Sequence, residues 1–337
     1  MRGVISLRLR QVSSHQNKRL RYLNTFQILL SNRIVSRNIL LIGIGADTSN
    51  VRKMPPVTAD GKFAYIPFPE KHTPAVSDDA PTYGDGILYR KSVPKEHAES
   101  MIDLVGGWVK PDADDEKKKE DDEAKAHPVH HDPDFDNLSF GEGTRLDTPL
   151  KKTETDTGVT EGDILAFYTG LHRRSFIDCR SSHRYIIGYF TLKQDPLYLG
   201  EPDSEQFAGA TIIRDRAERE EKLKEHNPAH YHRLKANGDI YAINEPDGLS
   251  EYEDPNGMLL FIGDKKKPGG LLDKAVQISK PNTSTTNYRS EDEFTKMLYP
   301  DEDERPDEGL YLGGRKPTHL IKDADPDALI DFINKRR

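Results

Sequence analysis

Residues 127–136, HPVHHDPDFD, bring three histidines and three aspartates together within ten positions that also hold two prolines. Imidazole and carboxylate groups can exchange protons with a substrate or bind a metal ion. The prolines exclude a helix, and the His-x-x-x-His spacing of helical metal sites is absent. Since neighbouring side chains of an extended segment point to opposite sides, His130 and His131 cannot face one ligand together. We therefore expect His131, Asp132 and Asp134 to be catalytic residues that need partners from elsewhere in the fold.

Two other interpretations of this stretch stay open. Asp132 and Asp134 form an Asp-x-Asp pair, whose hard oxygen ligands could hold a divalent cation against a diphosphate. Alternatively, the stretch is a turn shaped by its prolines, in which the aspartates bond to nearby backbone amides and the charge is solvated.

Two further segments offer catalytic partners. Asp47 lies in a polar loop, ADTSN, that follows a short apolar run. His230 lies in NPAHYHR, and if a helix resumes after the proline, His230 and Arg233 share one of its faces. We predict that Asp47 belongs to the catalytic site and that His230 is a general acid or base. A polar helix end would explain the residues around His230 without catalysis.

A dense group of positive side chains lies between residues 172 and 184. Six basic residues occupy these 13 positions: His172, Arg173, Arg174, Arg180, His183 and Arg184. Residues 39–337 carry a formal charge of −16, because the whole chain has −8 and residues 1–38 hold eight Lys and Arg with no Asp or Glu. Local clusters of cations are what phosphate binding requires. We predict phosphate contacts with a nucleotide or nucleic acid, most plausibly DNA, by His172, Arg173, Arg174, Arg180 and Arg184, joined by Tyr168, Arg233 and Arg315. A solvated surface loop is the alternative.

Composition limits the other classes of function. The single cysteine, Cys179, excludes an intrachain disulfide and a cysteine-based zinc site. No apolar run approaches the roughly 18 residues of a membrane span, so we expect a cytoplasmic protein. The basic residues 1–37 are expected to lie outside the fold, as a disordered extension or as the product of a translation start placed too early. The charged insert at 110–126 is expected to be disordered. The residues predict no metal site and indicate no particular cofactor.

The remaining pattern predicts short strands with flanking helices. Strands are predicted at 39–44, 164–169, 185–191, 240–244 and 258–263, with a hairpin turn at Asp60-Gly61 and helices near 94–105 and 214–226. Ser290 and Glu293 are predicted to form a capping box, and Asp325 to cap a terminal helix. The strand at 39–44 is not a dinucleotide-binding unit, because the third glycine is replaced by Thr48 and two prolines follow. Strands in runs rather than in regular alternation with helices predict an α+β fold. We expect one domain over residues 38–337, with a largely antiparallel sheet or small barrel.

The order and spacing of several motifs resemble one known family. The motifs are GIGADTSN, DGKFAYIPFPE, TYGDG, HHDPDFD, GDILAFYTGL, YIIGYFTL, NPAHYHR and GGRKPTHLI. Together they are similar to the nucleotide-modification-associated domain family, type three, over about residues 39–333. The resemblance implies a role in base modification in prokaryotes and phages, but no defined reaction. The N-terminal extension and the acidic insert depart from the family pattern. GDILAFYTG and YIIGYFTL also resemble, more loosely, the central strands of PUA-like barrels, which include readers of modified bases.

Three functions follow as hypotheses. The first is an enzyme that acts on a nucleotide or DNA base through a polar cleft of histidines and aspartates. The second is a reader of modified bases without turnover, with Tyr168, Phe176 and Tyr189 lining an aromatic pocket. The third is a metal-dependent glycosyltransferase that uses the Asp-x-Asp pair. The oligomeric state is not predicted.

Overall fold

The fold is that of a computed structural model, which describes residues 37–44, 55–65, 67–69, 129–130, 132–143, 158–173, 182–200, 210–227, 230–231, 257–280, 288–313 and 318–337. Residues 37–337 belong to one compact unit. The predicted helix near 94–105, the charged insert, the predicted strand at 240–244 and residues 1–36 lie outside the described residues.

The larger sheet has six described strands in the order β11-β7-β6-β1-β12, with β2 pairing separately with β6. The strands are β1 (Arg37–Gly43), β2 (Pro56–Val57), β6 (Ile164–Arg173), β7 (Ser182–Thr191), β11 (Gly270–Gln277) and β12 (Thr318–Ala324). β1 and β2 each run parallel to β6, whereas the other neighbours are antiparallel. The sheet is therefore mixed, with β6 at its centre and β1 between β6 and β12.

A second sheet packs below the first. Its four described strands follow the order β5-β10-β8-β9, and they are β5 (Ser139–Gly143), β8 (Leu197–Gly200), β9 (Thr211–Ile213) and β10 (Gly257–Ile262). Only β8 and β9 run parallel. A short antiparallel pair joins β3 (Phe68–Pro69) to β4 (Val129–His130).

Three hydrophobic clusters of buried residues order the layers. The first fills the space between the sheets, where the Phe140 ring of β5 meets the Phe167 ring of β6 at 5.4 Å between centroids. The second lies on the outer face of the larger sheet, under α2 (Asp292–Leu298) and α3 (Pro326–Arg336). The third lies between the smaller sheet and α1 (Arg216–His226), whose one buried residue is Leu223. The chain thus buries one apolar face of each helix and both faces of the larger sheet.

The α+β prediction is confirmed, and so is the antiparallel pairing of the strands at 164–169 and 185–191. The barrel alternative is wrong, since the described strands form separate mixed sheets rather than a closed one. Both strands are also longer than predicted. They extend to Arg173 and begin at Ser182, so His172, Arg173, His183 and Arg184 belong to strands and not to a loop.

The predictions for the turn and the terminal helix are confirmed. Gly61 has φ +85° in a hairpin that pairs Val57 with Phe63. Asp325 accepts hydrogen bonds from the N–H groups of Asp327 and Ala328 and caps α3. The capping box at Ser290 is wrong, because the N-cap of α2 is Glu291 and not Ser290.

Candidate functional site

The carboxylate of Asp132 is held by three residues, one from β5 and two that lie at and just after the end of α1. The N–H of Gly141 donates to Oδ2 at 2.9 Å and to Oδ1 at 3.1 Å, and the amide of Asn227 donates to Oδ1 at 3.0 Å. The ring of His230 brings Nε2 to within 3.3 Å of Oδ2. Asp132 is 5% exposed and His230 is 3% exposed. A carboxylate that lies so far from water depends on these donors, because burial without them is costly.

Asn227 fixes the second member of this pair as well as the first. Its side-chain oxygen accepts the N–H of His230 at 3.2 Å, while its amide nitrogen donates to Asp132. The backbone N–H of Asn227 donates to the carbonyl of Leu223, so the residue closes the end of α1. One buried amide therefore sets where α1 ends and how the Asp132–His230 pair is aligned.

Two features of β5 place this strand against the histidine. The hydroxyl of the buried Ser139 donates to the carbonyl of His226, which ties the strand to the last residue of α1. At Gly141, an added Cβ would lie 2.5 Å from Cδ2 and 2.7 Å from Nε2 of His230. The close approach of β5 to the imidazole thus requires glycine at position 141.

The negative charge of Asp132 affects the pKa of Tyr65. Its side chain is buried in the cluster between the sheets, with its ring edge-on to Phe135 at 6.4 Å. Burial raises the pKa of the Tyr65 hydroxyl, and the negative charge of Asp132 raises it further. Tyr65 therefore stays protonated at any physiological pH and can serve as a neutral hydrogen-bond donor near the pair.

Asp134 has a different set of contacts from Asp132. Its Oδ1 accepts the N–H groups of Asp136 and Asn137 at 3.0 and 2.9 Å, and its Oδ2 accepts the Asn137 side-chain amide at 2.8 Å. These bonds form an Asx turn, the structural alternative for this stretch. The structure thus joins Asp132 to His230, and it engages Asp134 in its own turn.

Two of the predicted phosphate-binding residues, His172 and Arg173, end β6 at one edge of the larger sheet. Because β1 and β6 are parallel, their carboxyl ends meet there, beside the amino ends of β7 and β12. His172 is partly exposed at the end of β6. Arg184 is instead 4% exposed, with its guanidinium 4.3 Å from the centre of the Tyr288 ring. Tyr168 is buried in the outer cluster with Tyr189. Asp47, His131, Arg174, Arg180, Arg233 and Arg315 lie outside the described residues.

Three residues of the site were not predicted, and the sequence holds only weak signals for two of them. Asn227 precedes a proline at a helix end, which favours a polar cap without identifying what its side chain contacts. Gly141 lies in FGEG inside a strand, where glycine often marks a close approach. Nothing in the sequence relates Tyr65 to Asp132. Among the described residues, no group of three or more His, Cys, Asp or Glu side chains could hold a metal ion.

The fold and the site define a class: an α+β protein of two mixed sheets with a buried Asp–His pair beside one of them. Over residues 38–307 the sequence matches the family described as nucleotide modification associated domain 3. The chain belongs to this family, which confirms the resemblance noted from its motifs. Searches of curated proteins and of solved structures found no match. In the described part of the chain, no helix is both long and apolar enough to cross a membrane.

Proposed function

We propose that the protein is an enzyme that modifies the base of a nucleotide or of DNA, with Asp132 and His230 as its acid–base pair. The observation that carries this proposal is the 3.3 Å approach of Asp132 Oδ2 to His230 Nε2 in a buried setting. A carboxylate that orients an imidazole is a recurrent arrangement for general acid–base catalysis. Membership of a family associated with nucleotide modification supplies the class of substrate.

The hydrogen bonds also favour one ring nitrogen for the chemistry. Asp132 accepts from the backbone N–H of Gly141 and from the side-chain amide of Asn227. Nε2 of His230 faces the same carboxylate, like the ring nitrogen that donates to the aspartate of a catalytic triad and carries the proton of the neutral imidazole. The nitrogen that exchanges a proton with the substrate is then Nδ1. Because the His230 ring is buried, a nucleobase can reach Nδ1 only when the atoms that cover the ring are displaced.

The residues at the carboxyl edge of β6 would bind phosphate. His172 and Arg173 end this strand, and Arg174 and Arg180 follow in sequence. Their positive charge suits the backbone of DNA or the phosphates of a nucleotide in a protein whose folded part is strongly acidic. Asp47, His131, Arg233 and Arg315 remain proposed contributors. The proposal includes action on DNA in the cytoplasm of a prokaryotic cell.

The two alternative functions find less support in the described geometry. The reader hypothesis needs Tyr168, Phe176 and Tyr189 to line one aromatic pocket, but Tyr168 and Tyr189 are packed in the hydrophobic cluster under α2 and α3. The glycosyltransferase hypothesis needs Asp132 and Asp134 to face one cation. The oxygens of Asp134 accept three donors of its own turn instead.

The proposal is tested by the nucleoside composition of DNA from cells that produce the protein. We expect a modified nucleoside with the wild-type protein, and a loss of at least about 100-fold with Asp132→Asn or His230→Gln, the usual contribution of a general acid or base. Mass spectrometry of digested DNA and of the nucleotide pool measures both.

Asp163→Asn is the matched control. Asp163 is also buried and accepts N–H groups from Asn38 and Thr160, but it lies at the start of β6. This variant should keep the modification if its protein is present at a similar level. An unmodified nucleoside pool with the wild-type protein, or full modification with His230→Gln, would contradict the proposal.

A further inference from the structure

A row of polar side chains crosses three neighbouring strands near the carboxyl edge of the larger sheet. Thr169 of β6 lies directly opposite Tyr185 of β7, which in turn lies opposite Gln277 of β11. Residues that pair directly across strands share one face of a sheet. His183 precedes Tyr185 by two positions and lies on this face as well. We call Thr169, His183, Tyr185 and Gln277 the inner polar row.

The hydrogen bonds within the inner polar row are long. Gln277 Nε2 lies 3.3 Å from Nδ1 of His183, and the Tyr185 hydroxyl donates to Gln277 Oε1 at 3.4 Å. The shorter bond of Gln277 Nε2 is to the carbonyl of Ser279, at 3.1 Å. Since an amide nitrogen can only donate, Nδ1 of His183 is the acceptor in this contact.

Thr169 provides an independent indication of a ligand. Its side chain is 2% exposed, and within the described structure its hydroxyl oxygen has no hydrogen-bond partner. Buried polar groups in folded proteins are almost always hydrogen-bonded, because desolvation without a partner is unfavourable. A hydroxyl held in this state beside Tyr185 is therefore one that a bound molecule could satisfy.

The charge of the inner polar row indicates the kind of molecule. The side chains of Thr169, Tyr185 and Gln277 are hydroxyl and amide groups that carry no formal charge. The neighbouring cation, Arg184, points to the opposite face, where it stacks on Tyr288. A phosphate needs a cation or a group of N–H donors, whereas an uncharged ring with donors and acceptors along its edge matches hydroxyl and amide groups.

The inner polar row faces the space between the two sheets, where Tyr185 and Tyr65 belong to the same buried cluster. Tyr65 in turn lies near enough to Asp132 for the charge of Asp132 to affect its pKa. A base bound at the row would thus lie on the side of the larger sheet that faces Tyr65 and Asp132.

We propose that Thr169, His183, Tyr185 and Gln277 form a recognition site for an uncharged nucleobase. This inference rests on the proposed function for its ligand class, and it deepens that function by separating base recognition from the phosphate contacts at the strand ends.

The test compares Thr169→Val with Thr169→Ser. Valine keeps the shape and β-branching of threonine but removes the hydroxyl, while serine keeps the hydroxyl. The probes are the four common deoxynucleosides, which lack phosphate, titrated into the full chain by calorimetry or NMR. We expect at least one to bind the wild-type protein, with about tenfold weaker binding to Thr169→Val and near-normal binding to Thr169→Ser.

Stability gives a second, opposite readout. Removing a buried hydroxyl that has no partner should leave the midpoint of thermal unfolding of Thr169→Val unchanged or higher. Thr191→Val is the matched control, because Thr191 is a buried threonine at the far end of β7. It should bind the same nucleoside with unchanged affinity.

Three results would overturn the inference: no deoxynucleoside binds the wild-type protein, Thr169→Val binds as well as wild type, or Thr169→Val strongly lowers the unfolding midpoint. Asp132→Asn separates this outcome from the proposed catalysis. If that variant abolishes modification but still binds the nucleoside, both proposals stand. If the wild-type protein modifies nothing but binds a nucleoside through Thr169, only the catalytic proposal fails.

Discussion

At the scale of single residues, Gly141 controls the distance between Asp132 and His230. Its N–H donates to both oxygens of the carboxylate, and its missing side chain leaves room for the imidazole. Gly141→Ala should push His230 away from Asp132, because the new methyl would contact the ring and the methyl of Met258. We expect modification activity to fall by at least about tenfold, together with a destabilisation of about 1–3 kcal/mol from overpacking.

Gly309→Ala separates these two effects. Gly309 has φ +77° and packs against Ser290, far along the chain from the pair. The Gly309→Ala variant should lose about as much free energy of unfolding in urea as Gly141→Ala does, but it should keep its modification activity per folded molecule. Equal activity losses in the two variants would show that Gly141 acts through global stability alone.

The sequence indicates the types of residue in the site better than their roles. Asp132 and His230 were predicted because each lies in a short segment that groups histidines with other polar side chains, HPVHHDPDFD and NPAHYHR. The same argument could not separate Asp132 from Asp134, which are only two positions apart. In the fold, Asp132 faces His230, whereas Asp134 accepts hydrogen bonds within its own turn. Asn227 was missed because it lies 95 positions from Asp132 in the sequence. Tyr65 was missed because Asp132 acts on it through its charge, which leaves no local pattern in the sequence.

At the scale of elements, the start of α2 shows why the predicted capping box does not form. The Ser290 hydroxyl bonds to Thr295 at 2.6 Å and accepts the N–H of Leu310 at 2.7 Å, so it ties the helix to a distant segment. Glu293 reaches Arg336 of α3 rather than back to residue 290. A local sequence motif was therefore overridden by contacts that only the tertiary fold supplies.

This arrangement predicts unequal effects of two substitutions. Ser290→Ala should destabilise the protein by about 1–3 kcal/mol, because it leaves the buried N–H of Leu310 without its acceptor. Glu293→Gln should cost less than about 1 kcal/mol, because its ion pair with Arg336 is largely exposed. Urea unfolding of both variants measures the difference. Similar losses would instead support a reciprocal capping box.

At the scale of the whole molecule, the sheet order is the part of the fold that the sequence could not provide. β1 pairs with β6 and with β12, so its neighbours come from the middle and the end of the chain. Hydrophobic patterns identified the buried strands, but a pattern does not encode which strand is the partner or whether it is parallel. The family match ends at residue 307, whereas β12 and α3 lie beyond it and still complete the larger sheet and its outer layer.

The stability of the whole molecule should also depend on pH through two half-buried histidines. Burial is the main cause that lowers the pKa of His226 and of His319, although Glu225 opposes it at the first and a bond from Nε2 to the Tyr311 carbonyl opposes it at the second. A histidine whose pKa is lower in the folded state takes up its proton more readily when unfolded. Its contribution to stability is therefore complete above the unfolded pKa of about 6.5 and is lost as the pH falls from there to the folded pKa.

The free energy of unfolding, measured in urea from about pH 7.5 to about pH 5.5, should decrease, and the decrease should be smaller when both histidines are changed to glutamine. Buried carboxyls such as Asp163, whose pKa burial raises, act in the opposite direction, so they do not mimic this effect. An identical pH dependence in the double variant would show that the lowered pKa values of His226 and His319 do not contribute to the pH dependence of stability.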